Sequence, residues 1–309
     1  MQLTFTFLLI FCAAHQLASA YPGPRSNYSS LSEALADVER FIVRLQADAN
    51  VPAITFGLSV RGKTIYEKAF GYSDLENAVP AKVSTRFRLA SLSKSFTAAL
   101  IGSLVERGLI AGYGDSVHKY LREADFPRKT WKGKPVTITL DQLLSHRAGT
   151  FRGDDGFDTV VWAANVTQCI HKRRNEPLLF EPGTAFSYSN YGFELLGAVV
   201  EAVTREPYDV VMHRFLRQHR LNTTVVETMH SPLIYDRARY YREDKADRRK
   251  NAPSPVSDEL YMAEASWSDG NLLSNVPELL AYGNLMINAY KGRPNGKMIW
   301  WFLVDDDLI

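Results

Sequence analysis

Phe87-Arg88-Leu89-Ala90-Ser91-Leu92-Ser93-Lys94-Ser95-Phe96-Thr97 is the stretch on which the reading of the chain turns. It sets Ser91-x-x-Lys94 at the entry to an apolar helix. Residues three apart on a helix share a face, so the hydroxyl and the amine come within reach of each other. A serine hydroxyl becomes a nucleophile when a neighbouring base takes its proton. A lysine can be that base only where burial or a second cation lowers its ordinary pKa. A helix start adds free N–H groups and the positive end of the macrodipole, which favour developing negative charge. A capping serine followed by an exposed lysine has the same pattern, so the rest of the chain must decide.

Outward from this stretch, Phe96, Leu100, Leu104 and Val105 continue the helix, and Gly108 stops it. Upstream, Arg86 to Leu89 is an extended lead. Before it, Ile54–Val60 and Thr64–Phe70 alternate and are β-rich around Arg61-Gly62-Lys63, which predicts a hairpin. Ser32–Asp48 predicts an amphipathic helix through Leu35, Val38, Ile42 and Leu45. Downstream, Leu109–Tyr120 reads as the start of a mainly helical region. Further helices are expected over Asp141–Ser145, Thr159–Arg173, Phe193–Val203, Tyr208–Leu216 and Ser274–Asn288. Residues 236–250 mix both charge signs densely and read as a solvated loop.

The chain has 309 residues, is 46% hydrophobic and 23% charged, and carries a formal net charge of +2. Such a chain can bury a sizeable core, and its charge is too small to point to nucleic acid or a membrane surface. Residues 1–20 read as a secretory signal, with an apolar run Thr4–Ala14 and Ala18-Ser19-Ala20 before Tyr21-Pro22. Residues 21–31 are a Pro/Ser-rich linker, and 32–309 form the folded domain. Sequons at Asn27, Asn165 and Asn222 fit a secreted glycoprotein. Of two cysteines, Cys12 leaves with the signal and Cys169 keeps no intrachain partner, so no disulfide framework is expected. No ligand spacing suggests a metal, and no cofactor is expected.

Several stretches together resemble one family, the serine β-lactamase-like proteins of the penicillin-binding-protein superfamily, with the strongest likeness to its animal mitochondrial branch of serine proteases. They are Gly71-Tyr72-x-Asp74-x-Glu76-Asn77-x-Val79-Pro80, Phe87–Lys94, Leu143-Leu144-Ser145-His146-Arg147-Ala148-Gly149, Phe186-Ser187-Tyr188-Ser189-Asn190-Tyr191-Gly192 and Gly270-x-Leu272-Leu273-Ser274. The resemblance implies an α+β fold, with an antiparallel sheet flanked by helices plus a mainly helical subdomain. It implies a serine hydrolase acting through an acyl-enzyme on an amide or ester, of peptidase type. Ser91 would be the nucleophile and Lys94 would help remove its proton. Tyr188 would shuttle the proton at a lowered pKa, and Asn190 would orient Lys94 or the substrate amide. The Ser91 N–H would be one oxyanion donor. His146 is expected to be structural, tying a helix end. The third family motif, K-T-G or H-x-G, is not found after Tyr188, so the last sheet strands are expected to be missing. The alternatives are a truncated non-catalytic relative and a self-assembling scaffold, because the mitochondrial branch forms filaments. The expected partners are a small-molecule or peptide substrate and, for the scaffold, further copies of the chain. No nucleic acid is expected, and no membrane after signal removal.

Overall fold

The computed structural model describes residues 28–153, 163–228, 233–243, 251–253 and 267–292, and it divides into two compact units, 1–51 and 52–309. Among its described residues the first unit contributes one helix, α1 (Leu31–Asp48). It starts one residue before the expected Ser32. Ser30, not Ser32, is the N-cap and accepts from the Glu33 N–H. Glu33 in turn accepts from the Ser29 N–H, so each end of the turn satisfies a free donor of the other.

The second unit opens with the expected hairpin, β1 (Ala53–Val60) and β2 (Lys63–Asp74). Arg61 and Gly62 both lie at positive φ, 51° and 80°, the twist that a two-residue hairpin turn requires. β2 runs on past Gly71 to Asp74 and pairs with the short β3 (Val79–Pro80). A second sheet is built from β4 (Phe87–Arg88), β10 (Leu272–Ser274) and β7 (Val225–Val226), with β10 in the middle and all pairings antiparallel. Segments of two or three residues drawn from three distant parts of the chain thus fix the approach to Ser91. Two further two-stranded ribbons are β5 (Thr130–Trp131) with β6 (Lys134–Pro135), and β8 (Tyr241–Glu243) with β9 (Asn251–Pro253).

Among the described residues the helices of this unit are α2 (Ser93–Glu106), α3 (Leu140–Leu144), α4 (Val166–His171), α5 (Asn190–Thr204), α6 (Tyr208–Gln218) and α7 (Val276–Tyr290). α2 is apolar almost all round and is buried almost all round, as a central helix must be. Its Phe96, Leu100, Ile101 and Leu104 form one core with Phe193, Leu196 and Val199 of α5 and Tyr208 and Met212 of α6. α7 covers the hairpin. A Cβ on Gly57 would lie 2.4 Å from Val276 Cγ1 and 2.8 Å from Leu280 Cδ1, so only glycine admits so close a helix.

Three expected helices differ from the structure. Leu109–Tyr120 holds only a 3₁₀ turn, Val117–Lys119. Gly112 and Gly114 weaken a helix there, and Asp115 draws both Lys119 and the Tyr120 hydroxyl onto itself. Within Thr159–Arg173 the described residues 163–173 hold α4, which begins at Val166 because Asn165 is its N-cap, its side chain accepting from Gln168 N–H. Residues 154–162 lie outside the described residues. Ser274 belongs to β10, and Asn275 caps α7, with Pro277 in its first turn. Residues 244–250 of the charged segment 236–250, the signal segment 1–20 and the tail after Gly292, which bears on the third motif, also lie outside the described residues.

Candidate active site

β4 ends at Arg88, and the chain reverses into a 3₁₀ turn, Ala90–Leu92, before α2 begins. Ala90 takes a left-handed φ of 46°. That conformation costs a residue with a Cβ about 1 kcal/mol, so the surroundings must enforce it. They do so through β10. Leu89 N–H donates to Leu272 O at 2.8 Å, and Leu272 N–H donates to the buried Ser93 Oγ at 3.1 Å. The result lifts Ser91 to an exposed position while Lys94, one turn on, is 5% exposed.

Lys94 Nζ donates to Ser91 Oγ at 3.2 Å and to the main-chain carbonyl of Asp269 at 2.7 Å. It lies 3.6 Å from the Asp269 carboxylate, and both side chains of that pair are 6% exposed. The ammonium also sits over two aromatic faces, 5.1 Å from the Tyr188 ring centre and 5.8 Å from that of Phe193. Ser91, Lys94 and Tyr188 are therefore together, although Tyr188 comes from a distant part of the chain. The contact of Tyr188 with Lys94 is through its ring. Among the described residues its hydroxyl has no hydrogen-bond partner, and the side chain is 37% exposed.

Asn190, at the start of α5, is placed differently. Its amide donates to Gly153 O at 3.2 Å and its main-chain N–H to Arg152 O at 2.7 Å. The structure ties it to the loop after Gly149, and its amide is not brought to Lys94.

His146 has more contacts than its place in the sequence suggests. Ser187 N–H donates to its carbonyl at 3.0 Å, and Ser189 N–H donates to its Nδ1 at 3.1 Å. The two bonds flank Tyr188 and hold its main chain from both sides. The imidazole also packs 4.4 Å from the Tyr188 ring and 5.2 Å from Phe193. Burial, with the Lys94 charge behind it, lowers its pKa to about 4, so the ring is a neutral acceptor at physiological pH.

Asp269 was not legible as a site residue. It sits in the turn Trp267–Gly270, which is pinned to both core helices. Thr97 Oγ1 donates to Ser268 O at 2.5 Å, and Ser268 Oγ donates to Phe193 O at 2.9 Å. A Cβ on Gly197 would lie 2.4 Å from Ser268 Oγ, so α5 must offer a glycine there. Glu194, half-buried on α5, completes the charge pattern. Burial and then the Asp269 carboxylate push its carboxyl well above the ordinary range, against a smaller opposing effect of Lys94. Among the described residues no three His, Cys, Asp or Glu side chains converge as a metal site, and no helix is long and apolar enough to cross a membrane.

An exposed hydroxyl on a buried amine, under an aromatic phenol, is a nucleophile-and-base arrangement for acyl transfer. The family model described as Beta-lactamase matches residues 38–298. The chain belongs to the beta-lactamase family. Its members are serine hydrolases. The chain is 28% identical over 313 residues to the human serine beta-lactamase-like protein LACTB, mitochondrial, covering 80% of this chain and 55% of that one. It is 29% identical over 160 residues to Protein flp of Staphylococcus aureus, covering 52% and 31%. The chain thus spans about half the length of the mammalian relatives it matches and less of the bacterial one. Among solved structures, it matches the octameric penicillin-binding protein homologue from Pyrococcus abyssi with a TM-score of 0.72 and 26% identity, covering 87% of this chain and 59% of that one. EstCE1, described as a hydrolase with promiscuous acyltransferase activity, shares the fold at a TM-score of 0.68 and 22% identity, covering 81% and 72%. The α+β architecture with small antiparallel sheets and packed helices is that of the family.

Proposed function

We infer that this chain is a serine hydrolase that transfers the acyl group of an amide or ester, of peptide type, to Ser91 and then to water. The observation that carries this reading is the exposed Ser91 hydroxyl 3.2 Å from the buried Lys94 amine, beneath the Tyr188 ring. With Lys94 neutral, the Ser91 proton passes to its nitrogen and the serine oxygen bonds to the acyl carbon. Tyr188, whose hydroxyl has no partner among the described residues, turns toward the leaving group, hands it a proton as its bond to the acyl carbon breaks, and takes the Ser91 proton in turn from Lys94. The Ser91 N–H, at the start of the 3₁₀ turn, is one donor for the developing oxyanion. Asn190 serves by fixing the start of α5 and so the place of Tyr188. Phe186 and Tyr188, 65% and 37% exposed, offer aromatic surface to a substrate side chain. Secretion by residues 1–20 belongs to the same reading. So does glycosylation, for which Asn222 is the best-placed described sequon: it is exposed, whereas the Asn165 side chain is engaged as a helix cap.

A second reading, self-association, has support from the octameric relative. Light scattering over a range of concentrations separates a monomer from an assembly.

The decisive experiment is labelling with a fluorescent fluorophosphonate. The wild-type chain is expected to react at Ser91, losing fluoride, and Ser91→Ala is expected to lose the label entirely while keeping its circular dichroism. A folded wild-type chain that takes no label, or an equally labelled Ser91→Ala, would overturn the hydrolase reading.

A further inference from the structure

We propose that Asp269 is a positioning residue of this site, a counter-ion that holds the Lys94 ammonium on Ser91 and sets the pH at which Ser91 is activated. This rests on the hydrolase reading above and adds a residue to it.

An ammonium has three N–H donors. Ser91 Oγ at 3.2 Å and Asp269 O at 2.7 Å take two of them, and the Asp269 carboxylate stands 3.6 Å away as an ion pair. One residue thus engages the amine twice, by its main chain and by its side chain. The two contacts differ in kind. The carbonyl is fixed by the Thr97 and Ser268 bonds that pin the turn, and it orients the amine whatever its charge. The carboxylate interacts strongly only with the charged form. At 6% exposure on both sides this attraction is poorly screened.

The amine cannot accept the Ser91 proton until it has lost one of its own, and a neighbouring carboxylate opposes that loss. The other groups around the amine are Glu194 from α5, His146 from the segment after α3 and Tyr188 from the segment before α5. Tyr208 of α6 lies within the field of Asp269, which adds to the rise that burial gives its phenol. Burial and the Asp269 carboxylate push the Glu194 carboxyl upward, and His146 is held neutral near neutrality. Asp269 is the carboxylate that contacts the amine directly, at 3.6 Å.

Asp269→Asn keeps the main-chain carbonyl and the shape but removes the charge. The acid limb of the fluorophosphonate labelling rate against pH should move to lower pH by about one unit, so that labelling on that limb rises about tenfold. The plateau should change by less than about threefold. Asp269→Glu should restore the wild-type limb in part, and Asp269→Asn/Glu194→Gln should add little to Asp269→Asn. An Asp269→Asn limb that coincides with wild type, or a plateau lost with the limb unmoved, would overturn the proposal and leave Asp269 a structural residue. A second measurement does not depend on activity. The Lys94 side-chain carbon, followed by NMR with ¹³C-lysine and assigned through Lys94→Arg, should titrate at lower pH in Asp269→Asn than in wild type. Should the wild-type chain take no label at all, the hydrolase reading fails, and coincident NMR titrations would separately sink the counter-ion.

Discussion

Two buried cation–carboxylate clusters flank the same turn, and they are built to opposite ends. At Arg88, the Glu227 carboxylate takes the Arg88 guanidinium on one oxygen and Arg237 at 2.7 Å on the other. The Tyr240 hydroxyl also reaches Glu227, and its ring is faced by both guanidinium groups at 4.3 and 4.9 Å. At Lys94 the ion pair leads instead to an exposed hydroxyl, and the Tyr188 hydroxyl beside it has no partner among the described residues. The first cluster sews β4 to the segments after β7. The second holds a reactive group at the surface. A buried charge stabilises where its partners close around it, and becomes available for chemistry where one partner is left accessible.

The comparison is broken most severely by Glu227→Ala. It strands two arginines, one of them 10% exposed, around an empty place. Removing one side of such a pair costs about 3 kcal/mol. Ser91→Ala, at an exposed position, should stay within about 0.5 kcal/mol. Urea unfolding of the two variants reads the difference directly. Equal losses would mean that the two clusters are not different in kind.

A smaller effect is expected from pH, through His146. Its folded pKa is about 4 against an ordinary 6.5, so the unfolded chain binds this proton first as the pH falls. Its contribution to stability is therefore full above about 6.5 and is lost as the pH drops toward 4. His213 and His219 are also lowered by burial and act in the same direction, so the informative quantity is the difference between variant and parent. His146→Gln should lose less stability than wild type between those pH values, as followed by thermal unfolding. Parallel pH profiles would mean that the imidazole is not held neutral over Tyr188.

The same contrast explains what could be read from the sequence. Ser91 and Lys94 were legible because one helical turn joins them, and the hairpin because its alternation and turn are local. Tyr188 was placed through family resemblance, and its ring does lie against Lys94. Asp269 carries no local signature: 175 positions separate it from Lys94, and tertiary contacts of Ser268 with Thr97, Phe193 and Gly197 bring it there. His146 looked like a helix end, and it is one. Its second task, holding the main chain on both sides of Tyr188, depends on a segment far along the chain. Asn190 shows the converse. A motif position suggested a partner at Lys94, and tertiary packing gave its amide to Gly153.

The finest cut at the comparison is Ser189→Ala. Ser189 Oγ accepts from Gly192 N–H at 2.9 Å and donates to Phe151 O at 2.5 Å, so it caps α5 and ties it to the loop after Gly149. Losing a cap of this kind costs about 1 kcal/mol. That is less than the Glu227 cluster should lose, but the residue adjoins Tyr188, whose position decides how a proton reaches the leaving group. Fluorophosphonate labelling should slow severalfold, by about 3–10-fold, beyond what the small fraction of unfolded chain accounts for. Stability lost with labelling unchanged would separate Tyr188 from the chemistry. It would leave Ser91 and Lys94 as a pair without a phenol, and Tyr188 as one more aromatic packed on a buried charge, as Tyr240 is at Arg88.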